Sequence, residues 1–272
     1  MPGPARAPLL VRRQPGGHGL QARQRRPLHG GTAVLKPRVR VVLFDIDGTL
    51  IRVGGAGRKG LNRAAFNLYG KRGVFRELSL AGRTDLWNFT EAVRRATGKE
   101  PSRREVERLH REYLRLLPGF VRRAWDSGKY RVIPGIKRLL RRLSREEGVL
   151  LGLGTGNMEK GARIKLEPSG LNGYFPFGGF GSDSFHRATL LKKALRRART
   201  LAGGAAIAPE DVTVVGDTPL DVKAGRKAGF KTIGVGTGFA AWEDLAASEP
   251  DHLARDFKDV DRWARWLIGS KR

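Results

Sequence analysis

Asp45 and Asp47 stand two residues apart at the end of a short apolar, β-branched run, Val39-Arg40-Val41-Val42-Leu43-Phe44. If that strand stays regular, both carboxylates point to one face. A second apolar run over 149–153 delivers Gly154-Thr155-Gly156-Asn157, a hydroxyl and free amides leading into a helix start, which suits a phosphate oxygen. A third run, 212–215, delivers Gly216-Asp217-Thr218-Pro219-Leu220-Asp221, two further carboxylates bracketing a turn. Converging carboxylates repel one another strongly, so the set calls for a hard divalent ion between them, and magnesium fits best. Phosphate monoesters resist nucleophiles because they are themselves anions. A magnesium ion that neutralises both partners lets one aspartate attack phosphorus while a second acid protonates the departing alcohol.

The elements that must position these residues follow from hydrophobic period and caps. From about residue 57 to 131 the pattern is helical, over 58–69, 84–96 and 102–117, the last opened by Ser102 with Glu105 three residues on. No strand is expected there. After Pro134-Gly135 the order alternates: helix 136–147, strand 149–153, helix 159–166, a short strand 177–180, helix 187–202, strand 212–215, helix 220–228, strand 232–235 and a last helix 260–267. This predicts an α/β fold, a doubly wound, mainly parallel, Rossmann-like sheet with a small inserted all-helical cap domain. The core is expected over 38–53 and 132–272, with the cap over 54–131. Ligands of such sheets bind at the carboxyl ends of the strands. Residues 1–37 carry seven basic side chains, six prolines and no acid, which predicts a disordered basic tail.

Composition narrows the chemistry further. The 272 residues, 40% hydrophobic, suffice for a sizeable core, and the formal charge of +27 draws anions in general. The absence of cysteine excludes disulfides and thiolate chemistry. The five histidines are too scattered for a zinc site, so any metal is held by oxygen. No apolar run reaches the roughly 18 residues of a membrane span. A soluble, cytoplasmic protein without a membrane partner is expected.

The succession Asp45-Ile46-Asp47-Gly48-Thr49-Leu50, Thr155-Gly156-Asn157 and Gly216-Asp217 with Asp221 resembles the haloacid dehalogenase (HAD) superfamily. Gly54-Gly55-Ala56-Gly57, Gly82-Arg83-Thr84-Asp85 and Ile133-Pro134-Gly135 resemble its phosphoglycolate-phosphatase-like branch, which carries a helical cap. The resemblance runs from about Val39 to the end of the chain. It implies a magnesium-dependent phosphatase of small phosphomonoesters. Asp45 would be the nucleophile and Asp47 the general acid and then base. Thr155, the Gly156 amide and Asn157 would hold the phosphate, with Arg83 facing the substrate. Asp45, the Asp47 carbonyl and Asp217 would bind Mg2+, with Asp221 close by. The family also places a basic residue shortly before its fourth motif. Arg187 is assigned to that role, with Lys160, Lys192 and Lys193 left open. Asp47 speaks against a dehalogenase, whose halide leaving group needs no proton. A sugar-phosphate mutase shares every motif and stays open. A basic nucleic-acid-binding protein on the same scaffold is the rival from another class, against which the intact motifs speak. The expected partner is a small phosphorylated metabolite, and neither its identity nor the oligomeric state is specified.

Overall fold

The computed structural model describes residues 38–75, 80 and 82–269; the expected basic tail lies outside them. The chain runs β1 (Arg40–Phe44), β2 (Ile51–Val53), α1 (Ala56–Tyr69), α2 (Asp85–Thr97), α3 (Arg103–Asp126), β3 (Tyr130–Val132), α4 (Ile136–Leu143), β4 (Val149–Gly154) and α5 (Glu159–Leu166). It continues through β5 (Phe177–Gly179), α6 (Arg187–Leu201), β6 (Val212–Gly216), α7 (Pro219–Ala228), β7 (Lys231–Val235), α8 (Trp242–Ala247), β8 (His252–Ala254) and α9 (Val260–Ile268). Six strands form one sheet in the order β5-β4-β1-β6-β7-β8, every pair parallel, as the alternating pattern predicts.

Side-chain alternation along β1 explains why helices cover both faces. Val42 and Phe44 join the cluster that includes Ile136, Leu140, Trp263 and Leu267 of α4 and α9. Val41 and Leu43 turn the other way, onto Leu190, Leu191 and Ala194 of α6 and Ala224 of α7. Because β4 and β6 flank β1 on opposite sides, the chain reverses its winding there, and the crevice of such a sheet opens at that point.

The helical block packs α1, α2 and α3 around Phe89, whose ring lies 5.2 Å from His110 and 5.3 Å from Tyr113. Burying an aromatic of that size contributes about 1.5–3 kcal/mol. Ser102 and Glu105 form the expected capping box, with the Glu105 N–H donating to Ser102 Oγ at 3.3 Å and the Ser102 N–H to Glu105 Oε2 at 2.8 Å.

Three features depart from the sequence reading. Helix α3 does not stop at residue 117 but runs through Pro118 to Asp126. Val121 and Ala124 extend its buried stripe, and that burial outweighs the one hydrogen bond a proline removes. Helix α4 closes at Leu143, four residues early, and Ser144 caps it. At the end of the stretch up to about residue 131 where no strand was expected, β3 pairs antiparallel with β2, with Ile51 opposite Val132, Arg52 opposite Arg131 and Val53 opposite Tyr130. Strands β2, β3 and β8, of three residues each, show too little alternation to be read from sequence, although the equally short β5 was placed at 177–180.

Candidate active site

At the end of β1 the Asp45 N–H donates to the Val215 carbonyl at 2.9 Å, which fixes the carboxylate beside β6. The chain then turns through Gly48 at φ 92°, where a Cβ would stand 2.5 Å from Asp217 Oδ2 and 2.8 Å from the Gly238 Cα. Only glycine meets both the left-handed backbone and the close approach. Asp217, at the end of β6, accepts from Thr49 Oγ1 at 3.2 Å and from the Phe239 N–H at 3.0 Å. Asp221, in the first turn of α7, accepts from the Thr218 N–H at 3.1 Å and the Thr218 hydroxyl at 2.7 Å. Carboxylate oxygens of buried Asp45, Asp217 and Asp221 lie within 4.8 Å of one another. The Asp47 side chain is not one of this group; it lines the adjoining cavity.

The end of β4 brings Thr155 and Gly156 to the same edge, both buried. A Cβ on Gly156 would fall 2.2 Å from the Arg83 carbonyl, because the loop before α2 docks here, with the Asp85 N–H donating to the Gly156 carbonyl at 2.7 Å. The Arg83 side chain is exposed and lines the cavity, its guanidinium 4.1 Å from the centre of the Trp87 ring. Arg187 opens α6 and is nearly buried. Its Nη2 contacts Asp221 Oδ1 and lies 3.5 Å from Asp45 Oδ1, while Nη1 donates to the Gly82 carbonyl at 3.1 Å. Of the cations left open by the sequence, Arg187 is the one beside Asp45. Lys160 and Lys192 are exposed, and Lys193 pairs with Asp183 at 3.4 Å.

One residue at this edge, Lys165, went unnoticed in the sequence, and Asp85 was read there only as part of the 82–85 motif. Lys165, only 7% exposed, places Nζ 2.7 Å from Asp47 Oδ2 and 2.5 Å from Asn157 Oδ1. Asn157 Nδ2 donates to the same Asp47 oxygen at 2.9 Å, so its carboxamide is engaged with Asp47 and Lys165. The buried residues of α5 are Gly161, Ala162, Lys165 and Leu166, so the lysine sits in the inward stripe of the helix. Asp85, from the helical block, accepts from the Met158 N–H at 3.0 Å and so caps α5 from outside the sheet.

Burial pushes the Asp45 carboxyl from 3.8 up to about 7, with Asp221 and Asp47 adding to the rise and Arg187 opposing it. Burial likewise raises Asp217 well above the usual range, with Asp221 and Asp45 as the next causes. Asp85 is raised by burial against the pull of Lys165. Burial works against the Lys165 ammonium, yet Asp47, Tyr113 and Asp85 more than offset it, and its pKa stands above the ordinary lysine value. Buried acids that reach for protons, offering only hard oxygens, are the donor set a hard divalent cation satisfies. The residues fit Mg2+. Asp45, Asp47, Arg83, Gly156, Lys165 and Arg187 all line one cavity of about 1020 Å³.

Residues 39–229 match the haloacid dehalogenase-like hydrolase family, and the chain belongs to it. It is 26% identical over 235 residues to a phosphoglycolate phosphatase of Salmonella choleraesuis, covering 82% of this chain and 91% of that protein. A phosphoglycolate phosphatase of Vibrio vulnificus is 32% identical over 121 residues, 44% of this chain and 51% of its own. In fold it is similar to a predicted phosphoglycolate phosphatase from Haemophilus somnus, with a TM-score of 0.61 at 21% identity over 83% of this chain and 98% of the other. CbbY from Rhodobacter sphaeroides, solved in complex with phosphate, gives a TM-score of 0.61 at 21% identity over 82% and 96%. The resemblance read from the motifs and the doubly wound sheet are both borne out. Among the described residues no helix is long and apolar enough to cross a membrane.

Proposed function

We propose that this hydrolase is a Mg2+-dependent phosphatase of small phosphomonoesters, phosphoglycolate-like or sugar phosphates, acting through a phosphoryl-aspartate on Asp45. The observation that carries the reading is the convergence of Asp45, Asp47, Arg187, Asp217 and Asp221 at one sheet edge, beside Thr155 and Gly156. Asp45, Asp217 and Asp221 would hold the magnesium ion, together with the Asp47 carbonyl. When bound, the ion neutralises the acids and the phosphate, so that an anion can approach an anion.

Asp45 attacks phosphorus, and the ester bond to the alcohol breaks as the Asp–phosphorus bond forms. The Thr155 hydroxyl and the Gly156 amide hold the phosphoryl oxygens. Arg187, already bridging Asp45 and Asp221, adds a planar pair of donors beside the nucleophile. Asp47 Oδ2 is occupied by Lys165 and Asn157, which leaves Oδ1 to give a proton to the departing alcohol. Asp47 then takes a proton from the water that hydrolyses the acyl phosphate. Similarity to the phosphoglycolate phosphatases of Salmonella and Vibrio supports a small substrate.

The test is phosphate release from p-nitrophenyl phosphate and from a panel of phosphorylated metabolites, with Mg2+ and with EDTA, beside salt-dependent binding to a random DNA duplex. Turnover that needs Mg2+ and vanishes in Asp45→Asn, without appreciable duplex binding, is expected. Undiminished turnover in Asp45→Asn would overturn the covalent route, and an isomerised sugar phosphate in place of free phosphate would mark a mutase.

A further inference from the structure

The β2–β3 ribbon carries an arrangement that the hydrolysis itself does not use. Its register sets Arg52 directly opposite Arg131. Directly opposed residues project from the same face, and like charges in that position destabilise the pairing. Ile51, Val53 and Tyr130 are buried on the ribbon's other face, so the ribbon cannot turn the arginines away without exposing its apolar side. Both arginines line the cavity that holds Asp45 and Asp47, and Lys129 lines it beside them.

Among the described residues no carboxylate stands at ion-pair distance from Arg52, Lys129 or Arg131. Arg52 is aimed by backbone carbonyls and an aromatic ring: its Nη2 donates to the Thr237 carbonyl at 2.6 Å and the Gly238 carbonyl at 3.0 Å, and its guanidinium carbon lies over the Phe239 ring, 5.8 Å from the centre. The ribbon is also clamped, because a Cβ on Gly54 would lie 2.7 Å from the Lys129 Cβ. Three exposed cations, with Arg52 pinned and no carboxylate at ion-pair distance, thus line one stretch of the wall of a cavity of about 1020 Å³. A cavity of that size is at the upper end of the roughly 300–1,000 Å³ that suits drug-sized ligands. A two-carbon phosphate ester leaves most of it empty.

We propose that Arg52, Lys129 and Arg131 form a second anion subsite, and that the substrate carries a second oxyanion, phosphate or carboxylate, separated from the transferred phosphoryl group by the body of the molecule. The proposal rests on the phosphatase reading given above. An oxyanion between the two arginines would relieve their repulsion and accept the planar forks of both guanidinium groups.

Three esters of one alcohol chain test it: pentyl phosphate, 5-phosphooxypentanoate and pentane-1,5-diyl bisphosphate. The wild-type enzyme should show KM values about ten-fold or more lower for the bisphosphate, the carboxylate or both than for pentyl phosphate, at similar kcat, as charge-assisted hydrogen bonds imply. Whichever two-anion ester gains more identifies the oxyanion. Arg131→Ala should erase most of that advantage, with a much smaller effect on pentyl phosphate, and Arg131→Lys should restore part of it. Equal KM values for the three esters in the wild type, or an equal loss on all of them in Arg131→Ala, would overturn the subsite while leaving the phosphatase standing. Should the folded, magnesium-loaded wild type hydrolyse none of them, the phosphatase reading fails. Calorimetric binding of the bisphosphate then decides the subsite: binding lost in Arg131→Ala upholds it, and no binding, or binding that survives the substitution, ends it.

Discussion

Stripped of divalent ions, the protein should lose stability as the pH rises, and Asp45 should be a main cause. Its carboxyl is pushed from 3.8 up to about 7, first by burial and then by Asp221 and Asp47. An acid whose folded pKa is raised contributes stability below its unfolded value and loses it as the pH climbs through the folded value. The window therefore runs from 3.8 to about 7. A shift of one unit corresponds to about 1.4 kcal/mol, so the whole displacement is worth at most about 4 kcal/mol. Each kcal/mol moves Tm by about 2–4 °C in a protein of this size, which puts the fall at up to roughly 8–16 °C. The comparator is Asp45→Asn, which keeps the volume and removes the titration. Thermal unfolding from pH 4 to 8 in EDTA should give a wild-type Tm that drops relative to the variant. Saturating Mg2+ should raise the wild-type Tm strongly at pH 8 and weakly at pH 5, where protons already occupy the site. Wild-type and Asp45→Asn curves that run parallel in EDTA would refute the reasoning, as would a magnesium effect independent of pH.

Asp47→Asn should slow hydrolysis of alkyl phosphates by about 10²–10⁴ while affecting aryl phosphates much less; an equal loss on both would remove Asp47 from the acid role. Arg187→Ala should cost on the order of 10²–10³ in kcat/KM, as for one preorganised electrostatic partner, and Arg187→Lys should recover much of it; near wild-type rates would unseat the assignment. Lys165→Met removes a nearly buried cation from between Asp47 and Asn157 and should destabilise the fold by about 3 kcal/mol in urea unfolding. The double variant Lys165→Met, Asp47→Asn should regain part of that loss, and full additivity would show that the pair is not coupled.

The candidate active edge was legible because the sheet's geometry compresses it into short stretches of chain. Buried parallel strands read as apolar runs, and the residues that end them are the ones the fold delivers to its crevice. Asp45, Thr155 and Asp217 each follow such a run directly. Asp221 was legible through a second rule, since Thr218 and Asp221 make a capping box and the cap fixes the carboxylate against Asp217. Arg187 was reached by position at a helix start rather than by residue type. Lys165 was lost because a lysine in a helix is normally assigned to the solvent face, and only the packing of α5 under α3 turns it inward. The Arg52–Arg131 opposition was out of reach for a stronger reason. It depends on the register between two three-residue strands that are separated in sequence by the whole helical block.

The helical block does more than roof the cavity, because the loop leading into α2 is bonded to the chemistry at three points. The Gly82 carbonyl accepts from Arg187, which ties the loop to the cation beside Asp45. The Asp85 N–H donates to the Gly156 carbonyl and thereby anchors the residue whose own amide, in the preceding peptide, would face the phosphate. The Asp85 carboxylate caps α5, the helix that presents Lys165 to Asp47. Asp45 through Arg187, Gly156 directly and Asp47 through α5 and Lys165 are all tied to the same short segment. Displacing that segment would loosen all three together, whereas an intact core with a shifted block would keep the carboxylate trio, which none of those bonds holds. Metal affinity and turnover should therefore separate in variants of this loop, with the first surviving where the second is lost.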